Sequence, residues 1–154
     1  MGAKLEELRE EFKQCLDEGR YDGRLAKRFF VEWIKEEQIL VCTPSGTYVY
    51  IPSENRYMYI AEQRNVYVWL RECIHEINPG ADELVTYAHL ADLFKELKIS
   101  PESQGSEEDF DSREDLINTK SGVLQLGKDG KLYLWSYDEV DAKFTVCINA
   151  NYIP

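Results

Sequence analysis

The sequence predicts an α+β protein: four helices packed with small antiparallel β-meanders and hairpins. Two observations carry this. The hydrophobic period is helical in two blocks, and between and after them it shortens to β-branched and aromatic runs of four to six residues broken by turn-formers. Helices and strands are therefore segregated along the chain rather than alternating, which is the α+β pattern. At 154 residues, 44% hydrophobic and 12% aromatic, the chain has enough apolar material for a true core.

Leu5, Leu8, Phe12, Cys15 and Leu16 recur at helical spacing and predict a helix over 4–18. Gly19 and Gly23 end it. Leu25, Phe29, Phe30, Trp33 and Ile34 predict a second helix over 24–36, with a broad apolar face. "QILVCT", "TYVYI" and "RYMYI" then read as a three-stranded meander, with "PSG" and "PSEN" as its turns. Val66, Trp69, Leu70, Cys73, Ile74 and Ile77 define a third helix over 61–77, stopped by "NPG". Tyr87, Leu90, Ala91, Phe94 and Leu97 define a fourth over 83–98. A polar, acidic loop follows at 100–113 and reads as flexible. "LINT", "GVLQL", "KLYLW" and "FTVCI" are four further strand candidates. Gly122 and Gly130 are expected to be structural, Gly130 closing a Lys128-Asp129-Gly130 turn at positive φ. The division expected is an N-terminal helical segment, 1–36, ahead of an α+β domain, 37–154.

Charge bounds the function. The net charge is −11, against wrapping nucleic acid with the whole surface, since that affinity comes from neutralising phosphates. The charge is uneven: residues 102–115 hold seven acids and one Arg, while Arg20, Arg24, Lys27 and Arg28 make a basic stripe at helical spacing. A solvated face is the plain reading of that stripe; contact with DNA or with an acidic neighbouring subunit, through Arg24, Lys27 and Arg28, is the functional one. No run reaches the length of a membrane span, so no membrane partner is expected. Cys15, Cys42, Cys73 and Cys147 are scattered in apolar runs, which reads as reduced core residues of a cytoplasmic protein.

Catalytic constellations are hard to find. No Gly-Lys-Ser/Thr phosphate loop exists in the 154 residues. His75 and His89 fall on separate predicted helices, and neither has a ligand-spaced partner, so no metal or Cys–His nucleophile is expected. Acidic pairs such as Glu114-Asp115 sit in the least structured segment, and a solvated acidic loop lacks the rigid, partly desolvated setting that catalytic carboxylates need. Tyr48, Tyr50, Tyr57 and Tyr59 could stack bases, but with only Arg56 nearby, cross-strand pairing that covers helices is the stronger reading.

The C-terminal third carries a resemblance. Asp109, Phe110 and Asp111, then Leu116, Ile117 and Asn118, then Lys120, Gly122, Val123, Leu124 and Leu126, then Phe144 and Thr145, and last Tyr152 and Pro154, fall in the order of a pattern. It is similar to the stretch just upstream of the helicase in phage and plasmid primase-helicases, a domain also carried by the related poxvirus nucleoside triphosphatase. Ser121, Gln125 and Ile153 depart from it, where the family has Asn, Asp and Asp. The resemblance spans about 36–154 and is specific after 107. It implies that a superfamily 3 helicase, an AAA+ ring, follows in the parent protein and holds ATP and Mg there, with no cofactor in this chain. Its partners would be the adjacent helicase domain, neighbouring copies in the ring and, weakly, DNA. The competing reading is a small acidic adaptor or inhibitor domain binding another protein; the clustering of the acids in one loop, rather than in two regular rows, weakens a DNA mimic.

Without a phosphate loop, the purified chain is expected to show no steady-state ATP turnover above a buffer control. Turnover that co-purifies with the chain through successive columns would overturn this.

Overall fold

The computed structural model describes residues 2–148, and the fold is α+β. Four helices, α1 (Ala3–Asp17), α2 (Gly23–Glu37), α3 (Gln63–Ile77) and α4 (Tyr87–Ile99), accompany two three-stranded antiparallel sheets. The first sheet has the order β1 (Leu40–Cys42), β2 (Thr47–Ile51), β3 (Arg56–Ile60); the second has β4 (Leu116–Thr119), β5 (Gly122–Leu126), β6 (Leu132–Trp135). Short 3₁₀ turns occupy 81–84, 101–103, 107–109 and 137–139. Tyr152 and Pro154 lie outside the described residues.

The chain forms two compact units, and both are discontinuous. One comprises residues 2–49 and 60–105, the other residues 50–59 and everything described from 106 onward. This division differs from the boundary expected at 36/37. An amphipathic helix cannot bury its apolar face alone, and α2 packs on both α1 and α4, so the first two helices belong with the third and fourth.

The helical unit is built on α2. Asp22 caps it, its carboxylate accepting the Leu25 N–H at 3.1 Å. Its apolar side, Leu25, Ala26, Phe29, Phe30 and Ile34, is fully buried. The ring of Phe29 stacks on Phe12 of α1 at 5.6 Å and on Trp33 at 5.3 Å. Gln38 ends the helix in the left-handed region, its N–H returning to the Ile34 carbonyl. The fourth helix starts later than its periodicity predicts. Thr86 accepts the His89 N–H, and the His89 imidazole accepts the Thr86 N–H in return, a capping box that fixes α4 to begin at Tyr87. The preceding residues 81–84 are a 3₁₀ turn instead.

The second unit has an aromatic core. Tyr57 meets Phe110 edge-on at 5.2 Å and Tyr50 at 5.3 Å. Tyr50 in turn stacks on Tyr137 at 5.6 Å, which touches Phe144. Leu116, Val123 and Phe144 pack together beneath Tyr137, Val140 and Ala142. So the tyrosines of β2 and β3 do pair across strands, but Tyr50 and Tyr57 belong to this core rather than covering helices.

The segment 100–113, expected as a flexible acidic loop, carries two 3₁₀ turns and supplies buried Ser103 and Phe110. Conversely, "FTVCI" is not a regular strand. Residues 143–148 make only two isolated parallel bridges, Phe110 to Lys143 and Thr119 to Ile148. The four cysteines are free, and each is half-buried rather than part of the core.

Two glycines of the second sheet hold positive φ for different reasons. Gly130 (φ +80°) closes the Gly127–Lys131 loop between β5 and β6, where the Asp129 carboxylate accepts the Lys131 N–H at 3.0 Å, and a β-carbon on Gly130 would meet open space. Gly122 (φ +137°) follows the two-residue turn Lys120-Ser121, and a β-carbon there would sit 2.3 Å from the Trp135 carbonyl oxygen. Gly130→Ala should therefore cost about 1 kcal/mol, from backbone conformation alone. Gly122→Ala should cost roughly 2–4 kcal/mol, because β6 must also move. Thermal melts that rank the two equally would count against this packing.

Candidate functional site

The basic stripe sits on α2. Since Leu25, Ala26 and Phe29 turn into the core, Arg24 and Arg28 are left on the outer surface one turn apart, both exposed and without an ion-pair partner among the described residues. Lys27 does not stand with them. It is half-buried, and its Nζ lies 2.8 Å from the Asp92 carboxylate of α4. Arg20 precedes the helix and pairs with Glu18 at 2.8 Å. The sequence stripe of four cations thus becomes a free pair, Arg24 and Arg28. The Lys27–Asp92 partnership spans α2 and α4 and left no local sequence signal. Beside it the Tyr21 ring stacks on His89 at 4.3 Å, and burial pushes the Tyr21 phenol up.

The Nδ1 of His89 accepts the Thr86 backbone N–H, so His89 is a helix cap. His75 is exposed in the last turn of α3. Burial, the largest cause, and nearby Glu76 and Glu72 push the Cys73 thiol up, away from a reactive thiolate. Among the described residues no group of three or more His, Cys, Asp or Glu side chains is placed to hold a metal ion.

The second unit gathers the residues of the sequence pattern. Phe110 enters the aromatic core, and Phe144 and Val123 pack on Leu116. Asp111 bends the chain at φ +54° and accepts both the backbone N–H of Thr145, at 2.9 Å, and the Thr145 hydroxyl. The Asp111 N–H donates to the Lys143 carbonyl at 2.8 Å. Asn118 is 3% exposed. Its amide donates to the Asn55 carbonyl at 2.7 Å and to the Val146 carbonyl at 3.2 Å. Asn55, itself at φ +52°, takes a hydrogen bond from the Tyr50 hydroxyl at 2.7 Å. Gly122 makes the tight turn, while Leu124 is half-buried in the middle strand of the sheet.

These contacts frame a cleft of about 520 Å³, lined by Pro52, Ser53, Glu54, Asn55, Arg56, Lys120 and Cys147. The Arg56 guanidinium is committed to Glu54 at 3.2 Å and to the carbonyls of Tyr57 and Thr145. Lys120 is exposed and has no side-chain partner among the described residues. The cleft is therefore polar, with one free cation. Near the sheet, the Arg113 guanidinium, hydrogen-bonded through two nitrogens to Asp115, holds that carboxyl down at about 2, helped by the Gln125 amide.

Comparison with protein-family models finds no match to this chain, and a search of curated proteins finds no similar sequence.

Asn118→Ala should leave the Asn55 and Val146 carbonyls without their donor in a buried site. The expected loss is about 1–3 kcal/mol of stability, with faster hydrogen exchange at the Ile148 amide, which bonds the Asn118 carbonyl at 2.9 Å. Unchanged melting and exchange would show that the network carries no weight.

Proposed function

We propose that this chain is a non-catalytic module of a phage- or plasmid-type DNA primase-helicase, lying directly before the superfamily 3 helicase and serving subunit assembly and DNA engagement in the cytoplasm. One observation carries the reading. Several of the residues that match the family pattern hold the second unit together: Phe110, Val123 and Phe144 in its core, Asp111 clasping Thr145, and Asn118 clasping the Asn55 and Val146 carbonyls, while Asp109, Ile117, Lys120 and Leu126 of the same pattern are exposed. In this reading ATP and Mg belong to the helicase domain of the parent protein, and the partners are that domain and neighbouring copies of the chain.

DNA engagement falls to Arg24 and Arg28, with Lys27 restrained by Asp92. Two phosphate contacts give a log–log salt slope of about −2, and the surrounding acids hold a single copy to the weak non-specific range, roughly 10⁻⁴ M at physiological salt. Several copies in a ring would gain by avidity. Fluorescence anisotropy with single- and double-stranded DNA at two salt concentrations tests this. The Arg24→Ala/Arg28→Ala double variant should lose most binding, and Lys27→Ala should change little. Micromolar binding by wild type that persists in the double variant would place any DNA surface elsewhere.

A further inference from the structure

The second sheet has two faces of different fate. Residues directly opposite in a ladder share a face, and the register pairs Ile117 with Leu124 and Leu124 with Leu134, while Leu126 pairs with Leu132. All five therefore lie on one face, which also carries the buried Thr119 opposite Gly122. Ile148, bridged to Thr119, extends the same face. The opposite face carries Leu116, Asn118 and Val123, which are buried in the unit, and Gln125, Tyr133 and Trp135, whose two rings are partly exposed toward the β6 edge. On the first face Ile117, Leu126, Leu132, Leu134 and Ile148 are 43–59% exposed, and Leu124 is half-buried. Five strand positions that alternation would make polar are occupied by Ile and Leu.

We infer that this sheet face is a self-association surface, covered by the same face of a second copy of the chain. Area is the first argument. Six such side chains present on the order of 500 Å² of apolar surface, at the upper end of what a monomer normally leaves open. Face-to-face pairing would remove about 1,000 Å² in total before any rim is counted, which reaches the threshold of a specific interface. Charge is the second. Each copy carries −11, so two copies repel wherever carboxylates would be juxtaposed. None of the six residues is charged, and stacked sheets approach to about 10 Å through side chains alone. The surface is self-complementary, as a two-fold dimer requires.

This inference does not depend on the chain serving a helicase, and its salt dependence has the opposite sign to DNA binding. Screening the mutual repulsion of two acidic copies strengthens their association as salt rises, whereas phosphate contacts weaken. Sedimentation velocity on the full 154-residue chain, across two decades of concentration and at two salt concentrations, is the test. Wild type should shift from monomer to dimer with a Kd on the order of 10 µM, tighter at high salt. Ile117→Lys/Leu134→Lys should remain monomeric at every concentration while keeping the wild-type far-ultraviolet circular dichroism. Should that variant misfold, Leu132→Thr/Leu134→Thr, which keeps strand-forming side chains, should raise Kd at least about tenfold. A wild type that stays monomeric throughout, or a folded variant that dimerises as wild type does, overturns the inference.

Discussion

The segment from Lys143 to Ile148 holds its place without a regular strand, and the side-chain amide of Asn118 is the interaction on which that depends. Short strands of four or five residues cannot bury a core from one side. The second unit needs a further layer, and the 143–148 segment brings Phe144 into it. No continuous ladder secures this segment. Isolated backbone hydrogen bonds at Lys143, Phe144 and Ile148 do so together with side chains: Asn118 binds the Val146 carbonyl, and Asp111 takes the Thr145 N–H and hydroxyl. The same Asn118 amide binds the Asn55 carbonyl, so one buried group ties the 50–59 hairpin to the C-terminal segment. Its donors are fully used, the condition under which a buried polar side chain specifies a structure rather than weakening it.

The distribution of charge follows a related economy. Lys27 meets Asp92, Arg20 meets Glu18, Arg56 meets Glu54 and Arg113 meets Asp115. In a chain of 29 acids and 18 basic residues, each of these four cations is held by an acid of the chain itself. Arg24 and Arg28 on α2, and Lys120 at the cleft, are among the cations that have no ion-pair partner among the described residues. The apolar face of the second sheet stands apart from both, being neutral in a strongly acidic molecule.

Much of the fold was legible because periodicity reports burial directly. The apolar faces of α1, α2 and α3 are those the 3.6-residue repeat marks, and β1 to β6 are all short runs bounded by turn-formers. The misreadings have physical causes. Thr86 and His89 form a reciprocal cap, and this local contact outweighed the apolar repeat that continued toward residue 83. "FTVCI" has strand composition but faces bent backbone at Asp111, so only two bridges form. Of the candidate residues, Arg24 and Arg28 stand exposed as their helical spacing implied. Lys27 was lost to Asp92 across a tertiary contact that no local pattern encodes. The uncovered sheet face was half legible: "GVLQL" and "KLYLW" show no polar alternation, but only the register reveals that Ile117, Leu124 and Leu134 fall in one row.

The discontinuity of the two units has a consequence for how the chain is made. Synthesis that has reached residue 105 has produced the whole helical unit. Of the other unit it has produced only the 50–59 hairpin, and that hairpin's Tyr57 waits for Phe110 and Phe144. Closing that contact joins segments separated by the full 60–105 stretch, a non-local step that is intrinsically slow. The helical unit is thus complete first, and the hairpin passes through a stage with exposed aromatics. For the same reason no single cut separates the units: cleavage at 105 leaves the tyrosine hairpin without Phe110, Tyr137 and Phe144, and excising 106–148 alone yields a sheet that lacks two of its five core rings.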